Sequence, residues 1–314
     1  MLKKGLDSCL YVFENSKSVK INNQKIDEFV HSLDSKKSIH WLESSPFGIL
    51  NLNVEEIVNF LLVYHSIGFS YWGNPKWAIE TENGTLDGAY AMMYVLIKEI
   101  KRNNKFLKSE YLKNISLEEI SELLKGNIEI PLLRQRHENL LKVSKVVNQQ
   151  MNGNFYKYIK NIYDDKKLFE IITSSFGDVF EDVEEYKGEK IYFYKLAQLL
   201  VSDILQIRQI KEEVKVDYTH LIGCADYKIP QVLRMLGMLE YNYELSNKVD
   251  NKVEIKEGSD FEIEIRANMI VALNIISKKV NDLCPIEIND LVWLKGQNKT
   301  SDIKPYHLTR TRYY

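Results

Sequence analysis

The sequence predicts a mostly α-helical fold with one or two short β ribbons. Apolar side chains recur every three or four residues over most of the 314-residue chain, which is the spacing of one face of an α-helix. Strand-like runs are few, and they do not alternate with helices in the order of a parallel sheet. Hydrophobic residues make up 45% of the chain, enough for a protein of this length to bury its own core. We therefore expect a single domain over residues 1–314. The alternative is two helical lobes that share one cleft.

Apolar spacing and capping residues predict the main helices. We expect helices over residues 54–65, 86–103, 116–124, 131–151, 190–210, 259–280 and 286–295. Asn53 with Glu56, and Ser116 with Glu119, have the spacing of a capping box, in which two side chains bond the free amides of a helix start. These two starts are therefore the best-defined boundaries in the sequence.

Two further helices differ in their patterns. The segment 190–210 is apolar on nearly every side at its centre, which predicts a central buried helix. Lys195 stands in the aromatic and apolar run that opens it, where a lysine is unusual. Ser259, followed three residues later by Glu262, predicts the start of the helix over 259–280.

Two regions have the composition of β ribbons. Residues 67–73 and 76–81 are rich in β-branched and aromatic side chains, and the Gly-Asn-Pro turn between them predicts a small hairpin or an extended lid. Residues 179–194 are divided by Lys187-Gly188-Glu189, which predicts a second short ribbon.

Charge and cysteine content limit the class of protein. The formal net charge of −2 disfavours binding to long nucleic acid but leaves room for a single nucleotide as ligand. The three cysteines form no C-x-x-C pair, and we find neither a secretory leader nor an apolar run of about 18 residues. We therefore expect a cytoplasmic protein with no membrane partner.

Metal and thiol chemistry are both disfavoured. The six histidines are scattered, and none forms an i, i+4 pair with a carboxylate between, so we expect no metal and no cofactor. No Gly-x-Ser-x-Gly motif is present. Cys224 lies two residues from Asp226, whose charge raises a thiol pKa, so we predict that Cys224 is a small apolar wall rather than a nucleophile.

Residues 221–241 contain the most informative acid of the chain. Asp226 stands in an otherwise apolar run, before Pro230 and a helical apolar pattern that continues to Leu239. This position is typical of a helix N-cap. It is equally suited to a shielded carboxylate that faces a developing cation or orients a water. Lys195 has the same two interpretations, either a snorkelling or structural side chain or a cation that keeps Asp226 ionised or holds substrate.

Two aromatic segments also have alternative interpretations. Phe69-Ser70-Tyr71-Trp72-Gly73, with Trp77 nearby, is dense in aromatic rings, which usually form core but can stack on a planar base when they lie between turns. The segment 305–314 is basic and aromatic throughout. We expect this segment to dock on the body of the protein near an anionic group.

A series of short motifs runs in order along most of the chain. The two strongest are Phe193-Tyr194-Lys195-x-Ala197-Gln198 and Ala225-Asp226-Tyr227-Lys228-Ile229-Pro230. The others lie at residues 69–72, 76–80, 87–90, 131–137, 153–155, 262–266 and 307–314. In their order and spacing these motifs resemble the queuosine salvage protein family, the queuosine 5′-phosphate N-glycosylase/hydrolases.

The resemblance implies a fold and an activity. It implies a helical fold akin to the helix-hairpin DNA glycosylases, and hydrolysis of the N-glycosidic bond of queuosine 5′-monophosphate, which releases queuine for salvage into tRNA. It places the catalytic aspartate at Asp226 and a base-recognising acid at Asp290. Where the family carries a histidine that contacts the ligand, this chain has His40 followed by residues 41–46.

The chemistry of the implied substrate gives each candidate a role. Queuine is a 7-deazapurine whose position 7 cannot be protonated, so catalysis must act largely on the oxocarbenium-like sugar or on the attacking water. Asp226 is assigned this task, with brief covalent capture of C1′ as an open variant. Lys195 would tune Asp226 or hold a ribose or phosphate oxygen. The remaining candidates are Phe69, Tyr71, Trp72 and Tyr227 as walls of the base, Cys224 and Trp293 beside it, and His307 and Arg310 for the phosphate.

Two other functions are consistent with the same residues. One is a non-catalytic module that binds a modified nucleoside or tRNA, and it would show tight binding without turnover. The net charge of −2 disfavours tRNA as its ligand. The other is a DNA base-excision glycosylase, which rests on fold analogy alone and would need a basic groove.

Overall fold

The computed structural model describes residues 1–33, 40–43, 47–280, 282–297 and 304–314. Within them the chain forms fourteen α-helices and three two-stranded antiparallel sheets, which confirms the mostly α-helical fold. The helices are α1 (Leu2–Asn15), α2 (Asn23–His31), α3 (Val54–Ser66), α4 (Gly88–Arg102), α5 (Ser109–Leu112), α6 (Leu117–Leu123), α7 (Leu133–Gln150), α8 (Phe155–Ile159), α9 (Asp165–Phe176), α10 (Lys195–Glu212), α11 (Lys228–Met235), α12 (Tyr243–Asp250), α13 (Asp260–Val280) and α14 (Pro285–Lys295). The sheets pair β1 (Val19–Ile21) with β6 (Leu239–Tyr241), β2 (Ala78–Thr81) with β3 (Gly84–Asp87), and β4 (Val183–Tyr186) with β5 (Glu189–Tyr192).

The two predicted capping boxes are present. The Asn53 side chain accepts the amide of Glu56 at 2.9 Å, and the Glu56 carboxylate accepts the amide of Asn53 at 3.0 Å. Ser116 and Glu119 make the same reciprocal pair at the start of α6. Helix α13 begins where expected, but the Ser259 hydroxyl has no partner among the described residues. The Glu262 carboxylate accepts the amide of Gly258 at 3.2 Å and the hydroxyl of Tyr314 at 2.7 Å.

The predicted hairpin over residues 67–81 is wrong in its first strand. The strands are β2 and β3, joined by a turn at residues 82–83, and residues 67–73 form no strand. The guanidinium of Arg136 donates to the carbonyls of Ile67, Phe69 and Ser70, so these groups bond a side chain instead of a β ladder. The second predicted ribbon is confirmed as β4 and β5.

The helical pattern predicted through Leu239 stops earlier. Helix α11 ends at Met235, and Gly237 adopts a positive φ of 75°, which turns the chain out of the helix. Leu239 then lies in β6, opposite Ile21 of β1. This pair joins segments more than 200 residues apart, and neither strand is long enough to show an alternating pattern.

Buried apolar side chains form two clusters. The first contains residues of α3, α7, α9 and α10, such as Leu61, Leu140 and Leu200. The second contains residues of α1, α11 and α13, such as Val12 and Ile270. The assignment of residues 1–314 to one domain stays a prediction. No helix in the described part of the chain is both long and apolar enough to span a bilayer.

The basic and aromatic segment docks on the body of the protein, as expected. The Trp72 indole donates to the carbonyl of Thr309 at 2.9 Å, and the Ser70 amide donates to that of Tyr314 at 2.8 Å. The Arg310 guanidinium lies 3.6 Å from the centre of the Trp72 ring. The segment therefore bonds Ser70 and Trp72, while Arg136 bonds Ile67, Phe69 and Ser70.

We predict that Glu264→Ala strongly destabilises the fold. The buried Glu264 carboxylate accepts the amides of Lys17 and Ser18 and the hydroxyl of Tyr186, and truncation leaves all three donors without this partner. We expect a loss of about 3 kcal/mol or more in the free energy of unfolding, measured by urea titration. Glu244→Ala, at an exposed site on α12, is the control and should change this free energy by less than about 0.5 kcal/mol. Equal losses for the two variants would contradict the interpretation.

Candidate active site

A cavity of about 310 Å³ is lined by residues of the first apolar cluster, such as Tyr64 and Tyr71, and by Trp293, which packs against both clusters. Its aromatic walls are Trp41, Tyr64, Tyr71, Trp72, Tyr90, Tyr227, Trp293, Tyr306 and Tyr314. Its ionisable lining residues are His65, Lys76, Asp87, Lys195, Asp226, Lys228 and Asp290. Such a mixture of flat apolar walls and a few converging charges suits a planar ligand that also carries polar groups.

Asp226 is held at the start of α11. Its Oδ1 accepts the amides of Lys228 at 2.9 Å and Ile229 at 2.8 Å, so the predicted cap is present. Among the described residues nothing donates to Oδ2, although the residue lines the cavity. The backbone reaches this point past Gly223, whose φ of 112° and close approach to Leu273 leave no room for a side chain. Asp226 therefore caps α11 through one oxygen and also lines the cavity.

Opposing effects set the charge of Asp226. Burial raises the pKa of its carboxyl, while the Lys195 cation and the amides of the helix start lower it. The net direction is upward, so the carboxylate is a stronger base than an aspartate in water. A shielded carboxylate of this kind interacts strongly with a positive charge that develops near it.

Lys195 brings an uncompensated cation to the cavity. The residue is the first of α10 and is only 7% exposed. Its amide donates to Asp182, but within the described parts of the chain its ammonium has neither a hydrogen bond nor an ion pair. Asp226 is one of the groups that feel its charge. A buried lysine without a counter-ion in contact is available to an anionic or polar ligand.

Asp290 is the second acid of the cavity. It is 3% exposed, and burial raises its pKa to about 7. Its Oδ2 is buried without a hydrogen-bond partner in the described residues. The neighbouring Asn289 accepts the Cys224 amide at 3.1 Å, which ties α14 to the segment that carries Asp226. Asp290 therefore offers an unused acceptor to a ligand.

A buried cluster behind the cavity was not predicted. The carboxylate of Asp203 on α10 accepts His40 Nε2 at 3.0 Å, the Trp41 indole at 2.9 Å and His65 Nε2 at 2.7 Å. These donors lower the Asp203 pKa to about 2 despite its burial. His65 and Trp41 both line the cavity, so Asp203 fixes the orientation of two wall residues. In the sequence, this cluster is indicated by Asp203 itself, an acid inside the otherwise apolar centre of residues 190–210.

The structure brings together eight of the residues singled out in the sequence. They are Tyr71, Trp72, Lys195, Cys224, Asp226, Tyr227, Asp290 and Trp293, all of which line the cavity. Burial raises the Cys224 pKa well above its ordinary value, in agreement with its prediction as a wall.

Three other candidates do not line the cavity. Phe69 is fully buried with its ring 4.4 Å from the Arg136 guanidinium carbon, so it belongs to the core. His307 is buried against Tyr314, and burial lowers its pKa to about 3, which leaves it uncharged at neutral pH. Arg310 stacks on Trp72 and donates to the carbonyl of the same residue at 3.0 Å. The aromatic and basic composition of these segments does not show which side chains line the cavity and which pack behind its lining.

The histidine at the cavity is also different from the one suggested by the sequence. His40 bonds Asp203 and does not line the cavity, whereas His65 does. Residues 44–46 of the segment considered with His40 lie outside the described residues.

One group with metal-ligand spacing lies away from the cavity. Asp165, Asp217 and His220 offer ligand atoms within 4.8 Å of one another. Asp165 accepts the amide of His220 at 2.7 Å and its ring Nδ1 at 3.1 Å, so hydrogen bonds within the group account for its arrangement.

Known proteins match most of the chain. Residues 50–314 match the sequence model of a family described as queuosine salvage protein. A queuosine 5′-phosphate N-glycosylase/hydrolase from Sphaerobacter thermophilus is 29% identical, over 96% of this chain and 95% of that protein. Proteins of the same name from Mus musculus and Dictyostelium discoideum are 26% and 28% identical, over 98% and 95% of both chains respectively.

We predict that Asp290→Asn stabilises the protein at high pH. The folded-state pKa of about 7 exceeds the ordinary value of 3.8, so ionisation of Asp290 destabilises the fold progressively as pH rises through this interval. Asparagine removes this cost, and the gain should be absent below about pH 4 and reach on the order of 2–4 kcal/mol above pH 7. Urea unfolding at pH 4, 6 and 8 measures it. A gain independent of pH would contradict the assignment.

Proposed function

The chain belongs to the queuosine salvage protein family, and we propose that it hydrolyses the N-glycosidic bond of queuosine 5′-monophosphate and releases queuine. The names of relatives that align with nearly the whole chain support this activity and this substrate. The observation that carries the mechanism is that Asp226 and Lys195 line the same cavity, while no described residue donates a hydrogen bond to the second carboxylate oxygen of Asp226.

Asp226 acts on the sugar side of the scissile bond. When the bond from C1′ to the base nitrogen breaks, its electron pair leaves with the base and positive charge develops on the ribose. The Oδ2 carboxylate oxygen faces that charge, while Oδ1 stays held by two amides of α11. A water adds to C1′, gives its proton to the carboxylate, and the departed base nitrogen finally takes this proton. Direct attack of Oδ2 on C1′ is the covalent variant of the same geometry.

The phosphate and ribose bind on the lysine side of the cavity. His307 and Arg310 do not line the cavity, whereas Lys195, Lys76 and Lys228 do. Lys76 is half exposed and lies 4.0 Å from Asp87, at the limit of an ion pair. Lys195 is more deeply buried, so we assign it an oxygen of the ribose or phosphate in addition to its effect on Asp226.

The base lies between aromatic walls and is recognised by Asp290. A deazaguanine presents two adjacent N–H donors, one on the ring and one on the exocyclic amine, and an ionised carboxylate is their natural acceptor. The unpartnered Oδ2 of Asp290 supports this role. Tyr227 and Tyr306, whose ring centres are 4.8 Å apart, form one wall of the same cavity.

A binding module without catalysis is the second candidate. The Asp226 environment favours hydrolysis, because a carboxylate whose pKa is raised by burial suits charge stabilisation and proton transfer more than simple recognition. The net charge of −2 supports a free nucleotide rather than long nucleic acid as substrate, and the three unpaired cysteines support a cytoplasmic location.

We predict that Asp226→Ala abolishes queuine release. The loss should be about 10³-fold or more in kcat, because charge stabilisation at C1′ disappears. The assay incubates the protein with queuosine 5′-monophosphate and measures free queuine by mass spectrometry. Asp164→Ala is the matched control, since Asp164 caps α9 by the same kind of bond, at 2.9 Å from the Lys167 amide, and lies outside the cavity. It should cost about 1 kcal/mol of stability and leave kcat within twofold.

Full activity of folded Asp226→Ala would refute the mechanism. If the wild-type protein binds queuosine 5′-monophosphate tightly by calorimetry but releases no queuine, the binding-module function is correct instead.

We predict that Lys195→Met shifts the pH dependence of kcat/KM. Lys195 lowers the pKa of Asp226 and burial raises it, so removal of the cation lets this pKa rise further. Activity that requires ionised Asp226 should therefore fall off at a higher pH than in the wild type, in addition to its lower maximum. Lys142→Met, at an exposed site paired with Asp178, should leave the profile in place. An unshifted acidic limb in Lys195→Met would show that Lys195 does not act on Asp226.

A further inference from the structure

We propose that Arg266 is a positioning residue for this reaction, because its guanidinium fixes Asp226 and Lys195 relative to one another. This inference rests on the proposed function of those two residues. Arg266 lies on α13, is 1% exposed and does not line the cavity. It acts through three hydrogen-bonded arms, each of which leads to a residue of the cavity wall.

The first arm holds the segment that carries Asp226. The Arg266 Nε–H donates to the carbonyl of Ala225 at 3.0 Å, one residue before Asp226. This segment has no regular hydrogen-bond ladder between Leu221 and the start of α11, so a side-chain donor fixes its backbone at the point where the carboxylate emerges.

The second arm holds the start of the helix that carries Lys195. The Arg266 Nη2 donates to Oδ2 of Asp182 at 2.5 Å, and the same oxygen accepts the Lys195 amide at 3.1 Å. The carbonyl of Asp182 also accepts the amides of Phe193 and Tyr194, at 3.0 and 3.1 Å. Asp182 thus fixes the first turn of α10, and Arg266 fixes Asp182.

The third arm reaches the wall formed by Tyr314. The Arg266 Nη1 donates to Oε1 of Glu262 at 3.1 Å, and this oxygen accepts the Tyr314 hydroxyl at 2.7 Å. The ring centres of Phe193 and Tyr314 lie 3.9 and 4.3 Å from the guanidinium carbon. One planar group is therefore held by two carboxylates, one carbonyl and two rings.

The effect of Arg266 is geometric rather than electrostatic. The main influences on the pKa of Asp226 are burial, Lys195, and Lys228 and Ile229 at the start of α11, and Arg266 is not among them. A lysine in its place would keep the charge but lose the rigid fork that reaches three acceptors in different directions. The distance between the Asp226 carboxylate and the Lys195 ammonium would then vary more. Displacement of a catalytic group by about 1 Å can cost on the order of 10²-fold in rate.

Arg266→Lys, compared with Arg208→Lys, tests the proposal. Arg208 is a matched control because it is equally buried, bonds a glutamate one helical turn away at 2.7 Å, and donates to the carbonyls of Ile162 and Lys160, away from the cavity. Both variants should lose stability. At a temperature where both are folded, Arg266→Lys should lose about 10²-fold in kcat with a smaller change in KM, while Arg208→Lys stays within twofold. The acidic limb of the pH profile should stay in place, unlike that of Lys195→Met.

A kcat loss in Arg266→Lys no larger than that in Arg208→Lys would overturn the proposal. If Arg266→Lys does not fold, Asp182→Asn decides, since it weakens the second arm and should lower kcat without moving the acidic limb. Unchanged kcat in that variant would also overturn it. The wild-type assay separates the two claims: a wild type without turnover refutes the proposed function and this inference with it, whereas an active wild type with an unaffected Arg266→Lys refutes only the positioning role.

Discussion

Partial burial of Asp226 beside the aromatic walls of the cavity is the constraint on which the proposed site depends. Removal from water raises its pKa, and an uncompensated charge at such a position would be costly. Two amides at the start of α11 and the cation of Lys195 offset this cost without neutralising the second oxygen. The same helix start that would serve as an ordinary cap therefore also places a carboxylate at the cavity. The interpretation of Asp226 as a helix cap and its interpretation as a cavity carboxylate are therefore compatible.

Polar side chains inside α13 connect this site to the rest of the molecule. Arg266 bonds the carbonyl of Ala225, Asn274 bonds that of Ile222 at 2.9 Å, and Glu264 holds the amides that follow α1. Each of these hydrogen bonds offsets the cost of burying a polar group in the helix. On the neighbouring helix α14, Asp290 keeps its Oδ2 buried without a hydrogen-bond partner among the described residues. We interpret this unpaired oxygen as stability given up for recognition of a ligand.

The sequence predicted those features that depend on neighbouring residues. The boxes at Asn53 and Ser116 are local, and both formed as expected. Residues 67–73 have the composition of a strand in a hairpin or of an extended lid, but they form no strand, because their carbonyls bond Arg136, more than 60 residues later in the chain. At the site, Asp226 and Lys195 were found because a lone charge in an apolar run is visible in sequence. The role of Asp203 beneath the wall depends on three donors from other segments, which spacing along one helix does not reveal.

In the proposed mechanism, the carboxylate of Asp226 faces C1′ of the nucleotide. The most direct measurement is a crystal structure of the Asp226→Asn variant with intact queuosine 5′-monophosphate bound. We predict that a terminal atom of side chain 226 lies about 3–3.5 Å from C1′, with the base between the aromatic walls and its donor edge at Asp290. A bound nucleotide whose C1′ lies far from position 226, with another side chain or none beside it, would show that Asp226 does not act on the sugar.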